Sequence, residues 1–413
     1  MGPITIFDKS FLQSLSVDES VWFDNYFTTN IVPLFFVETL SDLEKKVREG
    51  RTPEQEVGII AAKTPEMHSS PNIFHTEMCT ANMLGHIVPM DGRIMMRGGN
   101  PVKGEGKTGV VFEESPEVKA FNRWQSGEFL GIEREQAKYW RSMLKSLDFD
   151  SAIKNIQSLG ITTDSCKSLE EVKLLSDEIL SGSINDSKTM KLALDLFSIP
   201  EHLHQQIFRN WQIRNCPPIK SFAPYTAFML NIDLFFYIAV SSSLISKERV
   251  TNKVDIAYLY YLPFCSVFVS SDKLHRRCAK HFIKPNQRFI WGFDLKDGLK
   301  EVDEYFDELS KEEKDKGVFS FASEPPQDDK YFITKLYDDL HPSWRTNNKT
   351  STPLKKETND ALLEDIKKIS EAPTLKEEEI DFDVSNPDSM VLKRRISKRK
   401  GKWFQVDKDI KSD

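Results

Sequence analysis

Two short apolar runs in this chain each stop at an aspartate. Ile4-Thr5-Ile6-Phe7 ends at Asp8, and Ser266-Val267-Phe268-Val269-Ser270-Ser271 ends at Asp272. Short runs rich in β-branched and aromatic residues, set among helical patterns, read as buried strands. An acid at the carboxyl end of a central strand points into the crevice where open α/β sheets hold their ligands. The two runs therefore point to an α/β core with acid on its ligand edge.

The remaining pattern divides the chain. Residues 1–50 alternate strand and helix, with Asp18 as an N-cap and Pro33 in a first helical turn, where the N–H it lacks would be unpaired anyway. Residues 51–220 change character: a stretch rich in Pro, Gly, Met and His gives way to helical patterns such as Glu133 to Leu147 and Leu169 to Leu180. This reads as a mainly α-helical insertion or cap. Helix and strand alternate again over 221–298, which favours a mostly parallel central sheet flanked by helices. An extension covers 299–347, and the charged tail 348–413 reads as largely disordered because it has little apolar content. The tail carries Lys393, Arg394, Arg395, Lys398, Arg399, Lys400 and Lys402 beside Trp403 and Phe404. That cluster has three readings: a tether along a nucleic-acid backbone, a dock for an acidic protein, or a solvated spacer.

Composition narrows the class. A chain of 413 residues with 39% hydrophobic content can bury a sizeable core, and a net charge of −7 argues against a protein that coats nucleic acid. Five scattered cysteines without a CxxC pair leave no disulfide framework or thiolate zinc site, so a reducing cytoplasm is the simplest compartment. His275, Cys278 and His281 form only a partial zinc-like pattern that lacks a fourth ligand. No signal peptide is expected at the start. Tyr225 to Ile245 approaches membrane-spanning length, but Asp233 interrupts it. A buried core helix, and no membrane, is the expectation. The run Arg97 to Thr108 ends in Gly-Lys-Thr, yet Pro101 stands where a phosphate-binding loop needs glycine, so it reads as a mobile surface loop.

Four acids stand out as a cation cage: Asp8 and Asp272 at strand ends, Glu38 and Asp255 on helices. Carboxylates suffice for Mg²⁺ or Mn²⁺, hard ions that prefer oxygen and keep some waters. Two such ions about 4 Å apart serve phosphodiester hydrolysis, one activating water and one stabilising the leaving oxygen. Each acid also has a plainer reading when taken singly. Asp8 can cap the next helix, Glu38 can lie on an acidic face with Asp42 and Glu44, and Asp255 suits a helix dipole. Asp42 is a candidate auxiliary ligand. Asp233 must either join the cage or pair with a buried base.

The segment from Asp255 to Asp272 resembles the C-terminal signature of PIN-like domains, in which a helix opens with Asp and a hydrophobic strand ends in a Ser/Thr-x-Asp-like motif. Ile-Phe-Asp8-Lys-Ser resembles that family's first strand, and Ile-Val-Pro-Leu-Phe-Phe-Val-Glu38-Thr-Leu resembles its strand followed by a glutamate-bearing helix. The resemblance covers about a third of the chain. It implies that Asp8, Glu38, Asp255 and Asp272 ligate Mg²⁺ or Mn²⁺ and catalyse endonucleolytic cleavage, of RNA more often than DNA. It also implies a toxin or defence effector under the control of a protein partner. Lys273, His275, Arg276 and Arg277 directly follow Asp272 and are candidate contacts to substrate phosphates. The rival expectation is a PIN-like scaffold that has lost catalysis and serves as an interaction protein.

Overall fold

The structure, a computed structural model, describes residues 2–46, 50–104, 106–158, 160–183, 186–347, 356–384, 386 and 390–410. In chain order the strands are β1 (Ile4–Phe7), β2 (Thr28–Ile31), β3 (Ser69–Pro71), β4 (Gly99–Gly104), β5 (Lys107–Phe112), β6 (Val267–Ser270), β7 (Arg288–Trp291), β8 (Met390–Leu392), β9 (Arg399–Lys400) and β10 (Trp403–Phe404).

The two apolar runs lie side by side. Five strands form one sheet in the order β3-β2-β1-β6-β7, with every pairing parallel. Thr5 sits opposite Val267 and Phe7 opposite Val269, and the Asp8 N–H extends this ladder to the Val269 carbonyl at 3.3 Å. From β1 the chain steps outward through β2 to β3, then returns to β6 and β7 on the other side. Strand order thus reverses between β1 and β6, the point at which open α/β sheets leave a crevice. Asp8 and Asp272 both leave their strands at that point.

The flanking helices follow from local chemistry. The helix Val17–Tyr26 opens with a capping box in which Ser16 and Glu19 satisfy each other's backbone N–H groups. Its Phe23, with Phe35 from the helix Pro33–Leu40, packs edge-on against Phe7 of β1 at 5.4 and 5.0 Å. The helix Pro224–Ser241 is the one described helix long and apolar enough to cross a membrane, and 78% of that apolar window is buried inside the fold. Its Asp233 takes the second of the two readings above. It accepts hydrogen bonds from Lys253 and Tyr260, which themselves lie 2.7 Å apart.

Three stretches depart from expectation. The first is 51–220, which is helical over Pro53–Lys63, Pro116–Gln125 and Gly131–Lys145 but also contains β3, an edge strand of the central sheet. The segment entering β3 is tied to the core by Asp24, whose buried carboxylate accepts the N–H groups of Glu66, Met67 and His68 at 2.6 to 3.1 Å. Asp24→Asn sets an amide N–H against those donors and should cost about 1–2 kcal/mol. Urea unfolding checks this, and an unchanged midpoint would show the tether to be idle.

The second is 97–108, which is not a surface loop but the hairpin of β4 and β5, with Val102, Val110 and Val111 buried. Gly106 turns it at φ 81°, a backbone conformation that favours glycine, while Glu105 lies outside the described residues. The third is the tail. Residues 348–355, 385, 387–389 and 411–413 lie outside the described residues, but the remainder is built structure rather than a disordered extension. It holds the helix Lys356–Glu371, the strand β8 paired parallel with β5, and the hairpin β9–β10. Part of the basic cluster is used internally: Arg394 donates to the Met67 carbonyl at 2.6 Å and Lys400 to the Thr64 carbonyl at 2.7 Å.

Candidate active site

Asp8, Glu38, Asp255 and Asp272 all line one cleft of about 270 Å³ beyond the carboxyl ends of β1 and β6. Asp42 lines it too, with Lys9, Lys45, Arg141 and Arg249 as its cations.

Asp8 is both a strand end and a helix cap. One carboxylate oxygen accepts the Phe11 N–H at 3.0 Å, and the other accepts the hydroxyls of Ser10 at 2.6 Å and Ser270 at 2.8 Å. Burial pushes its proton affinity up, but the hydrogen bond and charge of His275, with those of Ser10 and Phe11, hold the carboxyl below its ordinary range. Glu38 is raised instead. Burial dominates, the Asp8 charge adds to it, and Lys9, His275 and a 2.5 Å hydrogen bond from the Tyr258 hydroxyl offset only part.

Asp255 is the most strained of the four. Its Oδ2 is buried without a hydrogen-bond partner. Burial first, and then the charges of Glu38 and Asp272, push its pKa up to about 7 against the opposing pull of His275 and Arg249. Asp272 caps the helix Lys273–Cys278 by accepting the Leu274 N–H at 2.6 Å, as a strand-end acid before a helix should.

His275 has a role that its place in a basic run did not reveal. It is fully buried. Burial disfavours its charge, but the hydrogen bond and charge of Asp8, with those of Asp255, win and bring the pKa to about 9. As an imidazolium it donates from both nitrogens, to Ser270 Oγ at 2.7 Å and to the Asp255 carbonyl at 2.5 Å. Ser270 in turn donates to Asp8 and accepts the Asp272 N–H at 2.9 Å. One buried cation thereby joins three of the acid-bearing segments. His275 is consequently a positioning group rather than a phosphate contact. The inward stripe of its short helix, Leu274, His275 and Cys278, was the signal available in the sequence. Lys273, Arg276 and Arg277 are not among the cleft's lining residues. Arg276 lies over the Trp291 ring at 4.9 Å, and Arg277 donates to the Leu244 carbonyl at 2.9 Å.

The cleft's own cations come from elsewhere. Lys9 Nζ reaches Asp42 at 3.1 Å and the Glu38 carbonyl at 3.0 Å, and Lys45 and Arg141 approach the same Asp42 carboxylate at 3.7 and 3.9 Å. Asp42 is thus committed to internal ion pairs. Arg249 Nη2 stands 3.6 Å from Asp255 and 3.7 Å from Asp272. As the side chains stand, no group of three or more His, Cys, Asp or Glu residues among the described residues is close enough to hold one ion. The donor set nonetheless fits a hard divalent cation in kind. It is wholly carboxylate, and it includes one buried oxygen with nothing to bond. No family model, curated protein or solved structure matches this chain.

Proposed function

We propose that this chain is a metal-dependent phosphodiester hydrolase, an endonuclease acting on RNA in preference to DNA, built on a PIN-like core. The observation that carries this reading is the meeting of Asp8, Glu38, Asp255 and Asp272, distant in sequence, around one cleft at the sheet's switch point. Carboxylates that raise one another's proton affinity do not gather for stability, and perturbed acids in a cleft mark functional sites. The four would hold Mg²⁺ or Mn²⁺, which supplies an activated water and counter-charge for the leaving oxygen when bound.

The chain's own side chains set the geometry. His275 and Ser270 fix the rotamer of Asp8, and Tyr258 aims Glu38. Lys9 and Arg249 provide positive charge at the cleft where a phosphate would enter. An endonuclease of this kind requires restraint, so a regulatory protein partner belongs to the proposal.

Asp272→Asn should lower Mn²⁺-dependent cleavage of RNA by about 100-fold or more, the scale of losing one preorganised charge at the reaction centre. The comparison uses mixed RNA and DNA substrates, with Mn²⁺ present or chelated. Equal cleavage by a folded Asp272→Asn protein rules the assignment out. A non-catalytic scaffold is the second reading. It is favoured by the internal counter-charges that Lys9, Lys45, Arg141 and Arg249 already give the acids. On that reading Mn²⁺ neither stabilises the protein nor supports cleavage of any nucleic acid.

A further inference from the structure

Arg249 sets one guanidinium against two of the cleft's acids. It lies in the connection between the helices Pro224–Ser241 and Asn252–Ala257, and its side chain is 61% exposed. Its Nε donates to the Thr251 hydroxyl at 3.1 Å, and the far end of the guanidinium faces the cleft's acids. There Nη2 stands almost equally far from Asp255 and Asp272, at 3.6 and 3.7 Å. Both distances exceed hydrogen-bond reach, so the contact is Coulombic and unlocked, and the buried Asp255 oxygen nearest to it keeps no hydrogen bond at all. A guanidinium that is 61% exposed and makes no hydrogen bond to either carboxylate is free to swing away from them.

We infer that Arg249 is a displaceable counter-ion with two partners. In the metal-free chain it neutralises the Asp255 and Asp272 pair. In the working protein it leaves that pair and grips a phosphate of a single-stranded polynucleotide at the cleft mouth. This rests on the endonuclease reading above and deepens it: the same residue that competes for the acid site becomes a substrate contact. Guanidinium suits both partners, since its planar fork matches carboxylate and phosphate oxygens alike. Arg141 also lines the cleft but donates its Nε–H to the Ser41 carbonyl at 3.2 Å, and Lys9 is tied to Asp42 and the Glu38 carbonyl. Of the cleft's cations, Arg249 is the most exposed.

The two roles predict opposite effects of one substitution. In Arg249→Gln, Mn²⁺ followed by thermal-shift titration should bind at least about two- to fivefold more tightly, the factor that even an exposed ion pair is worth. KM for a short single-stranded RNA should rise, and the slope of log KM against log salt should shrink by about 0.7, the signature of one lost phosphate contact on a single strand. Arg249→Lys, which keeps the charge, should restore most of that slope. Unchanged Mn²⁺ affinity, or an unchanged salt slope, in a protein whose wild type binds Mn²⁺ and cleaves RNA overturns the double role of Arg249 and leaves the endonuclease reading intact. Absence of both Mn²⁺ stabilisation and cleavage in the wild type overturns the endonuclease reading and this inference with it.

Discussion

Replacing Asp255 by asparagine should make the metal-free protein more stable, not less. At pH 8 the wild-type carboxylate is ionised, largely buried, short of a hydrogen bond on Oδ2, and faced by Glu38 and Asp272. Its pKa of about 7, against an ordinary 3.8, means that folding works against its ionisation. At ~1.4 kcal/mol per unit this amounts to about 4 kcal/mol of lost stability. Asparagine keeps the shape and removes the charge, so thermal melting in a chelator should rise by several degrees. Mn²⁺ should stabilise the wild type and not the variant, because a ligand that binds only the folded state raises its stability. An Asp255→Asn protein that melts at or below the wild type in chelator would show that the cluster is not strained. A stability cost concentrated on one cleft acid is what a functional site carries and a structural one sheds.

The same groups set the pH dependence. A folded pKa above the unfolded one gives stability that is complete below the unfolded value and lost as pH rises through the folded value. For Asp255 the loss runs from about pH 3.8 to about 7. For His275, raised from 6.5 to about 9, it runs across that higher window. Asp8 has the opposite sign: its depressed carboxyl stabilises above pH 3.8 and stops doing so as pH falls through its folded pKa. Metal-free stability should thus decline from about pH 3.8 to about pH 9 in two overlapping steps. Asp255→Asn should shrink the lower step, to which the raised Glu38 carboxyl also contributes, and leave the upper.

The parts of this site that apolar pattern alone made legible were those that rest on strands, whereas Glu38 and Asp255 were singled out with the resemblance of their segments to PIN-like domains. β1 and β6 are buried at nearly every position, so their apolar runs were visible, and the acids ending them had only one direction in which to point. β3 was not legible. Ser69-Ser70-Pro71 has no apolar period, and it exists because β2 offers an edge and Asp24 anchors the residues before it. Arg249 left no trace either, since a lone arginine in a serine-rich connection has no spacing to interpret. His275 was grouped with its basic neighbours by charge, although its place on the stripe Leu274, His275 and Cys278 set it on the buried face. Strand and helix periodicity report the faces an element buries, whereas these residues are placed by contacts between segments far apart in sequence.

The tail makes the same point with the largest energetic consequence. Trp403→Ala should destabilise the protein by about 3–5 kcal/mol, the cost of emptying a buried indole site. Trp403 is 1% exposed, sits 4.9 Å from Trp22 and 6.0 Å from Phe321, and donates its Nε1–H to Asp303 at 2.7 Å. Trp22 donates to the same Asp303 oxygen at 2.8 Å, and Lys402 pairs with the other oxygen at 2.9 Å. Trp403→Phe keeps most of the apolar body and gives up one hydrogen bond, so about 1–2 kcal/mol is expected. Urea unfolding orders the three proteins. Limited proteolysis should cut the Trp403→Ala tail well before the core, because the Trp403 indole is what packs the β9–β10 hairpin against Trp22 of the core helix Val17–Tyr26. A neutral Trp403→Ala, with an uncut tail, would return residues 390–410 to the status of a spacer. The strap anchors to Trp22 and Asp303, and none of its residues lines the acid cleft, so Mn²⁺ should stabilise Trp403→Ala by as much as the wild type. Loss of both at once would mean that the strap and the cleft belong to one cooperative unit.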